Sequence, residues 1–245
     1  LSTENELFDW AWISQRRNPD VSLLESVKLA PKSFIEWQAH GQLVLEKQRR
    51  RVSNFKLVKS KDQLPLPGTR EDKALKEIYA FYDGKKHKFE LLASRVVAGV
   101  ISRNGGNYRE GWVTRGSGDG GVDFIGRLDI GEGFSKVKVV VLGQAKCEKP
   151  SSGTSGRDLA RTVARLKRGW IGAYVTTSFF TDRSQIEIIE DQFPLLTING
   201  KALAVEVLTQ QIEDGFASLS EFLLSLEAEY TTRISSRRPE DILLD

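Results

Sequence analysis

The sequence lacks residue types that several common classes of functional site require. Its single cysteine, Cys147, excludes an intrachain disulfide framework, and its two widely separated histidines, His40 and His87, exclude an ordinary zinc site. Methionine is absent, and no run of apolar residues is long enough to span a membrane. We therefore expect a cytoplasmic protein with no membrane partner.

A strong excess of one charge sign is also missing. The chain has 36 basic and 33 acidic residues, which gives a net charge of +3 and an isoelectric point of about 8.9. This weak overall basicity does not by itself indicate nucleic-acid binding, so local clusters of charge carry more information. At 245 residues, 28% of them charged, the chain can form one sizeable core plus an extension.

A glycine-flanked stretch in the middle of the chain carries the strongest chemical signal. It reads GSGDGGVDFIGRLDIGEGFSKVKVVVLGQAK and covers residues 116–146. Apolar and polar residues alternate over 122–130, which predicts a strand. A glycine-rich turn follows, and the valine-rich segment 137–146 predicts a largely buried partner strand. Together these patterns predict a β-hairpin.

The predicted hairpin brings three polar side chains together. If it is symmetric about the turn at residues 131–136, Asp123 lies directly opposite Gln144, with Cβ atoms about 5 Å apart. Gln144 and Lys146 share one face of their strand because strand side chains alternate. Carboxylate and amide oxygens suit Mg²⁺, and a lysine can orient water or stabilise developing charge. The combination predicts metal-dependent phosphodiester hydrolysis.

The order Asp123, twenty intervening residues, then Gln144, Ala145 and Lys146 resembles the PD-(D/E)xK nuclease signature in its Mrr-like D…QxK form. Gln144 stands where the usual second acid would be. The resemblance extends over about residues 89–208, roughly half of the chain. Within that group the sequence looks closest to the cleavage domain of MspJI-type modification-dependent restriction endonucleases, which cut near 5-methylcytosine.

The resemblance implies a role for each matching residue. Asp123 and Gln144 would be metal ligands together with the backbone carbonyl of Ala145, Lys146 would be the catalytic lysine, and Glu90 an auxiliary acid from the first core helix. Family members use Mg²⁺, for which Mn²⁺ can substitute. The pattern supports Glu90 independently, because it borders an apolar helical face made by Phe89, Leu92, Val96, Val97, Val100 and Ile101.

The expected fold class is α/β, with a PD-(D/E)xK restriction-endonuclease-like core. In it a mixed β-sheet, beginning with an antiparallel meander, is flanked by helices and preceded by an N-terminal helical extension. We expect residues 1–70 to be that extension or a linker to a recognition domain. Residues 71–245 would form the endonuclease catalytic domain, with its core at about 88–212. The polar tail, residues 233–245, is expected to be peripheral.

A basic helix after the hairpin is a candidate DNA contact. Ser155 followed by Asp158 is typical of a helix N-terminus, and we expect the helix to run to about Arg168. Its outer face carries arginines that could follow a phosphate backbone, although helix surfaces commonly carry charge: Arg157, Arg161, Arg165 and Arg168. Arg115 and Ser117, before the hairpin, are further predicted DNA contacts.

These patterns lead to one functional prediction and two alternatives. The prediction is a divalent-metal-dependent endonuclease domain that cuts double-stranded DNA near 5-methylcytosine. One active site cuts one strand, so we expect a homo-oligomer, a dimer or a tetramer. The lost second carboxylate leaves open a catalytically inactive DNA-binding module on the same fold, and a structure-specific nuclease similar to a junction resolvase is the other alternative.

Overall fold

The computed structural model divides the chain into two compact units, Leu1–Lys56 and Leu57–Asp245. It describes residues 57–114 and 121–245 continuously, and scattered positions before residue 57. The second unit begins before the boundary expected at residue 70, because Gln63 is buried in it. The Gln63 side chain donates to the carbonyl oxygen of Phe180 and accepts from its amide, both at 2.9 Å.

The first unit is helical at most of its described positions. Trp12 is buried, and its ring lies 4.8 Å from that of Phe34. A helix start near residue 22 has reciprocal capping contacts, in which the Glu25 amide donates to the Ser22 hydroxyl and the Ser22 amide donates to the Glu25 carboxylate. These positions confirm the predicted helical character of the region.

A mixed sheet forms the centre of the second unit. Its strands within the described residues are β1 (Asn107–Thr114), β2 (Phe124–Ile130), β3 (Val137–Lys146), β4 (Ile171–Thr176), β5 (Leu195–Ile198) and β6 (Ile234–Ser235), in the spatial order β5-β4-β3-β2-β1-β6. β1, β2 and β3 form the antiparallel meander. β4 and β5 continue parallel to β3, and β6 pairs parallel to β1. The predicted mixed sheet is confirmed.

Helices cover both faces of this sheet. They are α1 (Arg70–Tyr82), α2 (Phe89–Arg103), α3 (Gly156–Val163), α4 (Asp182–Glu190), α5 (Gly200–Glu213) and α6 (Leu219–Glu229). The larger core joins α1, α2, α5 and α6 to residues of one face, among them Phe124 and Val141. On the opposite face Leu159 of α3 packs with Tyr174 of β4. None of the described helices is long and apolar enough to cross a membrane.

The register of the predicted hairpin is confirmed. Phe124 pairs with Gly143 and Ile130 pairs with Val137, which is the symmetric register about the turn. Gly143 is needed opposite Phe124, since a Cβ at Gly143 would lie 2.1 Å from the Phe124 ring. The ring therefore crosses the partner strand where that strand has no side chain. Ladder pairing stops there, and Asp123 and Gln144 come next on either strand.

The helix after the hairpin is shorter than predicted. α3 ends at Val163 and does not reach Arg168. Beyond it the amides of Arg165 and Leu166 donate to carbonyls three residues back, which tightens the chain into turns. Gly169, with a φ of 82°, then leads into β4. Arg165 and Arg168 therefore lie outside the helix that was expected to present them.

The tail is not peripheral, which corrects the sequence-based expectation. β6 adds a short strand to β1, and Ile242 is buried with Trp112 and Leu142 on the second face of the sheet. The buried Arg127 guanidinium donates to the Ile242 carbonyl oxygen at 3.0 Å. The sequence pattern missed this because the tail holds few apolar residues, and its one deeply buried side chain follows a charged stretch.

Candidate active site

Asp123 and Gln144 meet at the end of the hairpin, as the register predicts. The Gln144 side-chain amide donates to Asp123 Oδ2 at 2.7 Å, and the backbone amide of Ala145 donates to the same oxygen at 2.7 Å. The backbone amide of Asp123 in turn donates to the Gly143 carbonyl at 2.8 Å. One carboxylate oxygen is thus held by two donors from β3, which fixes the orientation of the acid.

Lys146 lies on the same strand face as Gln144 but is paired with an acid that the sequence interpretation did not select. Its ammonium lies 2.6 Å from Asp158 Oδ2 and 3.9 Å from Glu148 Oε2. Asp158 belongs to the first turn of α3 and also accepts from the Ser155 hydroxyl at 2.9 Å. The lysine is therefore oriented by the N-terminal end of α3.

Glu90 is buried in the first turn of α2 and faces the same region. The Tyr230 hydroxyl donates to Glu90 Oε2 at 3.3 Å. Burial, and to a smaller extent the negative charge of Asp123, raise the pKa of Glu90 to about 8. The Tyr230 hydrogen bond opposes this rise. The Asp123 contribution shows that the two carboxyl groups are within electrostatic range. At neutral pH Glu90 is mostly protonated in the metal-free protein.

Asp123 itself is tuned by opposing effects. Burial raises its pKa to about 6, while the Ala145 and Gln144 hydrogen bonds and the charge of Arg165 favour the ionised form. At pH 7 the carboxylate is therefore mainly ionised. Tyr174, which pairs with Gln144 across β3 and β4, is buried beside it, and the negative charges of Asp158, Glu148 and Asp123 add to the burial that raises its pKa.

The donor set at Asp123 fits a hard divalent cation. Asp123 Oδ1 and the Gln144 side-chain carbonyl oxygen remain for a ligand, since the hydrogen bonds between these side chains use their other polar atoms. The Ala145 carbonyl faces the same side of β3 as its amide, because the two groups of one strand residue point the same way. Among the described residues no three His, Cys, Asp or Glu side chains are grouped to hold a metal. A metal at this position would be bound by one carboxylate oxygen, one side-chain amide oxygen and one backbone carbonyl oxygen, all of which are ligands that Mg²⁺ accepts.

The arginines predicted to contact DNA do not share one environment. Arg157, Arg161 and Arg168 are exposed, whereas Arg165 is partly buried against Gly121. Arg115 and Ser117 lie outside the described residues, so the structure gives no position for them.

The site residues that sequence reasoning missed are Asp158, Tyr174 and Tyr230. Only Asp158 left a local signal, as the third residue after the cap at Ser155.

A mixed sheet with helices on both faces, and an acid, an amide and a lysine at the end of its central hairpin, defines the class of PD-(D/E)xK nuclease domains. A family model described as a restriction endonuclease, the Mrr catalytic domain, matches residues 85–206. Residues 85–206 of this chain therefore form a restriction endonuclease domain of the Mrr-like family.

Solved structures agree with this assignment. The MspJI restriction endonuclease, in complex with a 27-mer oligonucleotide, is 46% identical with a TM-score of 0.75; the match covers 97% of this chain and 53% of that one. The DNA modification-dependent restriction endonuclease AspBHI is 23% identical with a TM-score of 0.57, covering 89% and 53%, and supports the fold alone. This chain thus spans about half the length of either relative. No curated protein matches it.

Proposed function

We propose that the chain is the cleavage domain of a modification-dependent restriction enzyme that hydrolyses double-stranded DNA near 5-methylcytosine. One observation carries the catalytic part of this proposal. The Asp123 carboxylate is held across the hairpin by Gln144 and Ala145, and Lys146 projects from the same strand face. The methylcytosine part rests on the resemblance of the sequence to MspJI-type enzymes, and the match to the MspJI structure supports that resemblance.

Each residue of the site has a proposed role. Asp123, Gln144 and the Ala145 carbonyl would hold Mg²⁺, or Mn²⁺ in its place, with Glu90 as an auxiliary acid. A cation held there would supply polarisation of the phosphoryl oxygen and activation of the attacking water. Lys146, oriented by Asp158, would position the attacking water and stabilise the negative charge that develops on the phosphate. Glu90 would have to lose its proton to contribute charge to the site, because burial raises its pKa to about 8.

The substrate and the assembly follow from the chemistry of a duplex. Each site cuts one strand, so a double-strand break requires two sites, and we propose a homodimer or homotetramer acting on DNA in the cytoplasm. The exposed arginines Arg157, Arg161 and Arg168, with Arg115 and Ser117, are proposed contacts to the phosphate backbone.

The test compares methylated and unmethylated plasmid, each with Mg²⁺ or with chelator, using the native protein that carries this chain. We expect cutting of the methylated plasmid in Mg²⁺ only, and loss of cutting by at least about 100-fold in Asp123→Ala and Lys146→Ala. Arg183→Ala changes an exposed residue of α4 and is the control for losses of activity that come only from preparing a variant protein. Cutting that survives Asp123→Ala would contradict the assigned site.

A second candidate function is supported by the Gln144 substitution. With one carboxylate fewer at the cation, the domain would bind DNA without cutting it. DNA binding that persists in chelator, with no cutting of any substrate in Mg²⁺ or Mn²⁺, would favour this inactive module. Cutting of branched but not methylated duplexes would instead indicate a structure-specific nuclease.

A further inference from the structure

Arg165 lies at the candidate active site and not on the exposed face of α3. Because α3 ends at Val163, the following turn carries Arg165 toward the start of β2. A Cβ built on Gly121 would lie 3.0 Å from Arg165 Nη1, so the guanidinium lies directly against the backbone two residues before Asp123. Its charge also lowers the pKa of the Asp123 carboxyl, which places it within electrostatic range of that acid.

The guanidinium of Arg165 has no carboxylate partner among the described residues. Within the same described part of the chain, its side chain makes one hydrogen bond, from Nη1 to the Arg161 carbonyl oxygen at 3.4 Å. Nearby cations differ in this respect, since Lys146 pairs with Asp158 and Lys167 pairs with Glu240. An arginine has five N–H donors, and a partly buried arginine loses water as a partner for some of them. Most donors of Arg165 therefore remain for an acceptor that enters the site.

We infer that Arg165 contacts the scissile phosphate and donates to its non-bridging oxygens while the ester bond is hydrolysed. This inference rests on the proposed function. In the reaction water attacks phosphorus, one P–O ester bond breaks, and the leaving oxygen takes up a proton, so that a phosphate monoester and an alcohol result. Negative charge on the non-bridging oxygens must be stabilised throughout, and the planar guanidinium fork matches two such oxygens at once.

The position of Gly121 supports a contact of this kind. Gly121 has a φ of 85°, a conformation that residues with a side chain rarely adopt, and its missing Cβ leaves room for the guanidinium. Arg157, Arg161 and Arg168, by contrast, are exposed. Arg165 is therefore assigned to the reacting phosphate, and the exposed three to flanking phosphates.

The experiment separates the chemical step from DNA binding. The rate of the chemical step is measured by single-turnover cleavage of a 5-methylcytosine duplex at saturating enzyme. DNA binding is measured as the affinity for the same duplex in chelator. For Arg165→Ala and the near-isosteric Arg165→Gln we expect a rate about 100-fold lower with affinity reduced less than about 5-fold. Arg165→Lys should recover part of the rate, because it restores the charge but not the fork. Arg161→Ala should instead weaken binding to the duplex, because Arg161 is assigned to a flanking phosphate.

The outcomes distinguish this inference from the proposed function. Equal saturated rates for Arg165→Gln and the wild type would overturn the Arg165 assignment while leaving the nuclease intact. No cutting by the wild type would overturn both. A rate loss accompanied by a lower thermal unfolding midpoint in Arg165→Ala, but absent from a correctly folded Arg165→Gln, would also count against the assignment. Arg183→Ala should match the wild type in every assay.

Discussion

At the scale of single residues, the site combines a fixed acid with a protonated one. Asp123 is ionised near neutrality and held by two donors, while Glu90 is buried, and its pKa is raised to about 8 by that burial and by the charge of Asp123. Two acids in one region thus carry about one negative charge before any cation binds. The positive charge of Lys146 is paired with a different acid, Asp158.

Glu90→Gln gives a prediction with a definite pH dependence. The unfolded carboxyl ionises near 4.5 and the folded one near 8, so the folded state binds more protons between these values. The stability contributed by this group is present in full below about pH 4.5 and is lost as the pH rises through 8. In chelator, we therefore expect the unfolding midpoint of Glu90→Gln to gain on the wild type from pH 5 to pH 9.

The control for this titration is Glu77→Gln, a change at an exposed glutamate of α1. Its midpoint relative to the wild type should not vary in this way over the same range. A constant difference between Glu90→Gln and the wild type would show that Glu90 ionises normally in the folded protein.

At the scale of secondary-structure elements, the hairpin of β2 and β3 sets the geometry of the site. Its register follows from Gly143, the position at which the ring of Phe124 crosses the partner strand. The ladder ends at this pair, and the next residue on each strand turns its polar side chain toward the other. The site is therefore built at the point where backbone pairing gives way to side-chain contacts.

Gly143→Ala tests this account of the hairpin. The added methyl would lie 2.1 Å from the Phe124 ring, so ring and strand must separate. We expect a loss of about 1–3 kcal/mol in the free energy of unfolding, measured with urea, together with slower DNA cleavage as Gln144 shifts from Asp123. Phe124→Leu in the same chain makes room for the methyl, so the double variant should lose less than the sum of the single changes. Strict additivity would argue against the contact.

At the scale of the whole domain, the C-terminal residues close the second face of the sheet. Arg127 and Asp129 form a buried ion pair, with N–O distances of 2.7 and 3.1 Å, and Arg127 also reaches the Ile242 carbonyl. Hydrogen bonds from Arg127 and Lys136 lower the pKa of Asp129 to about 2. Residues more than a hundred positions apart thus complete one polar cluster and one small core.

Ile242→Ala measures how much the packing of the C-terminal residues on the sheet contributes to the stability of the domain. Ile242 is 2% exposed, whereas the neighbouring Leu244 is 84% exposed. We expect Ile242→Ala to cost about 2–4 kcal/mol in the free energy of unfolding, and Leu244→Ala to stay within about 0.5 kcal/mol of the wild type. Equal effects of the two changes would restore the view of the tail as peripheral.

Local pattern was enough to predict the hairpin because every signal it needs is close in sequence. Alternation, a glycine-rich turn and a two-residue side-chain period specify that Asp123 faces Gln144, and the structure has that register. The mixed sheet was expected from the hairpin and the resemblance to the nuclease fold.

The sequence by itself therefore determined the hairpin, the class of fold and the family. Only the tertiary structure decided the partners of the site. Three contacts depend on where a helix ends and on how distant segments pack. They are the pairing of Asp158 with Lys146, the hydrogen bond of Tyr230 to Glu90 and the position of Arg165 against Gly121. Backbone periodicity is a local property of the chain, whereas these contacts join residues that approach one another only when the core forms, and no local pattern encodes them.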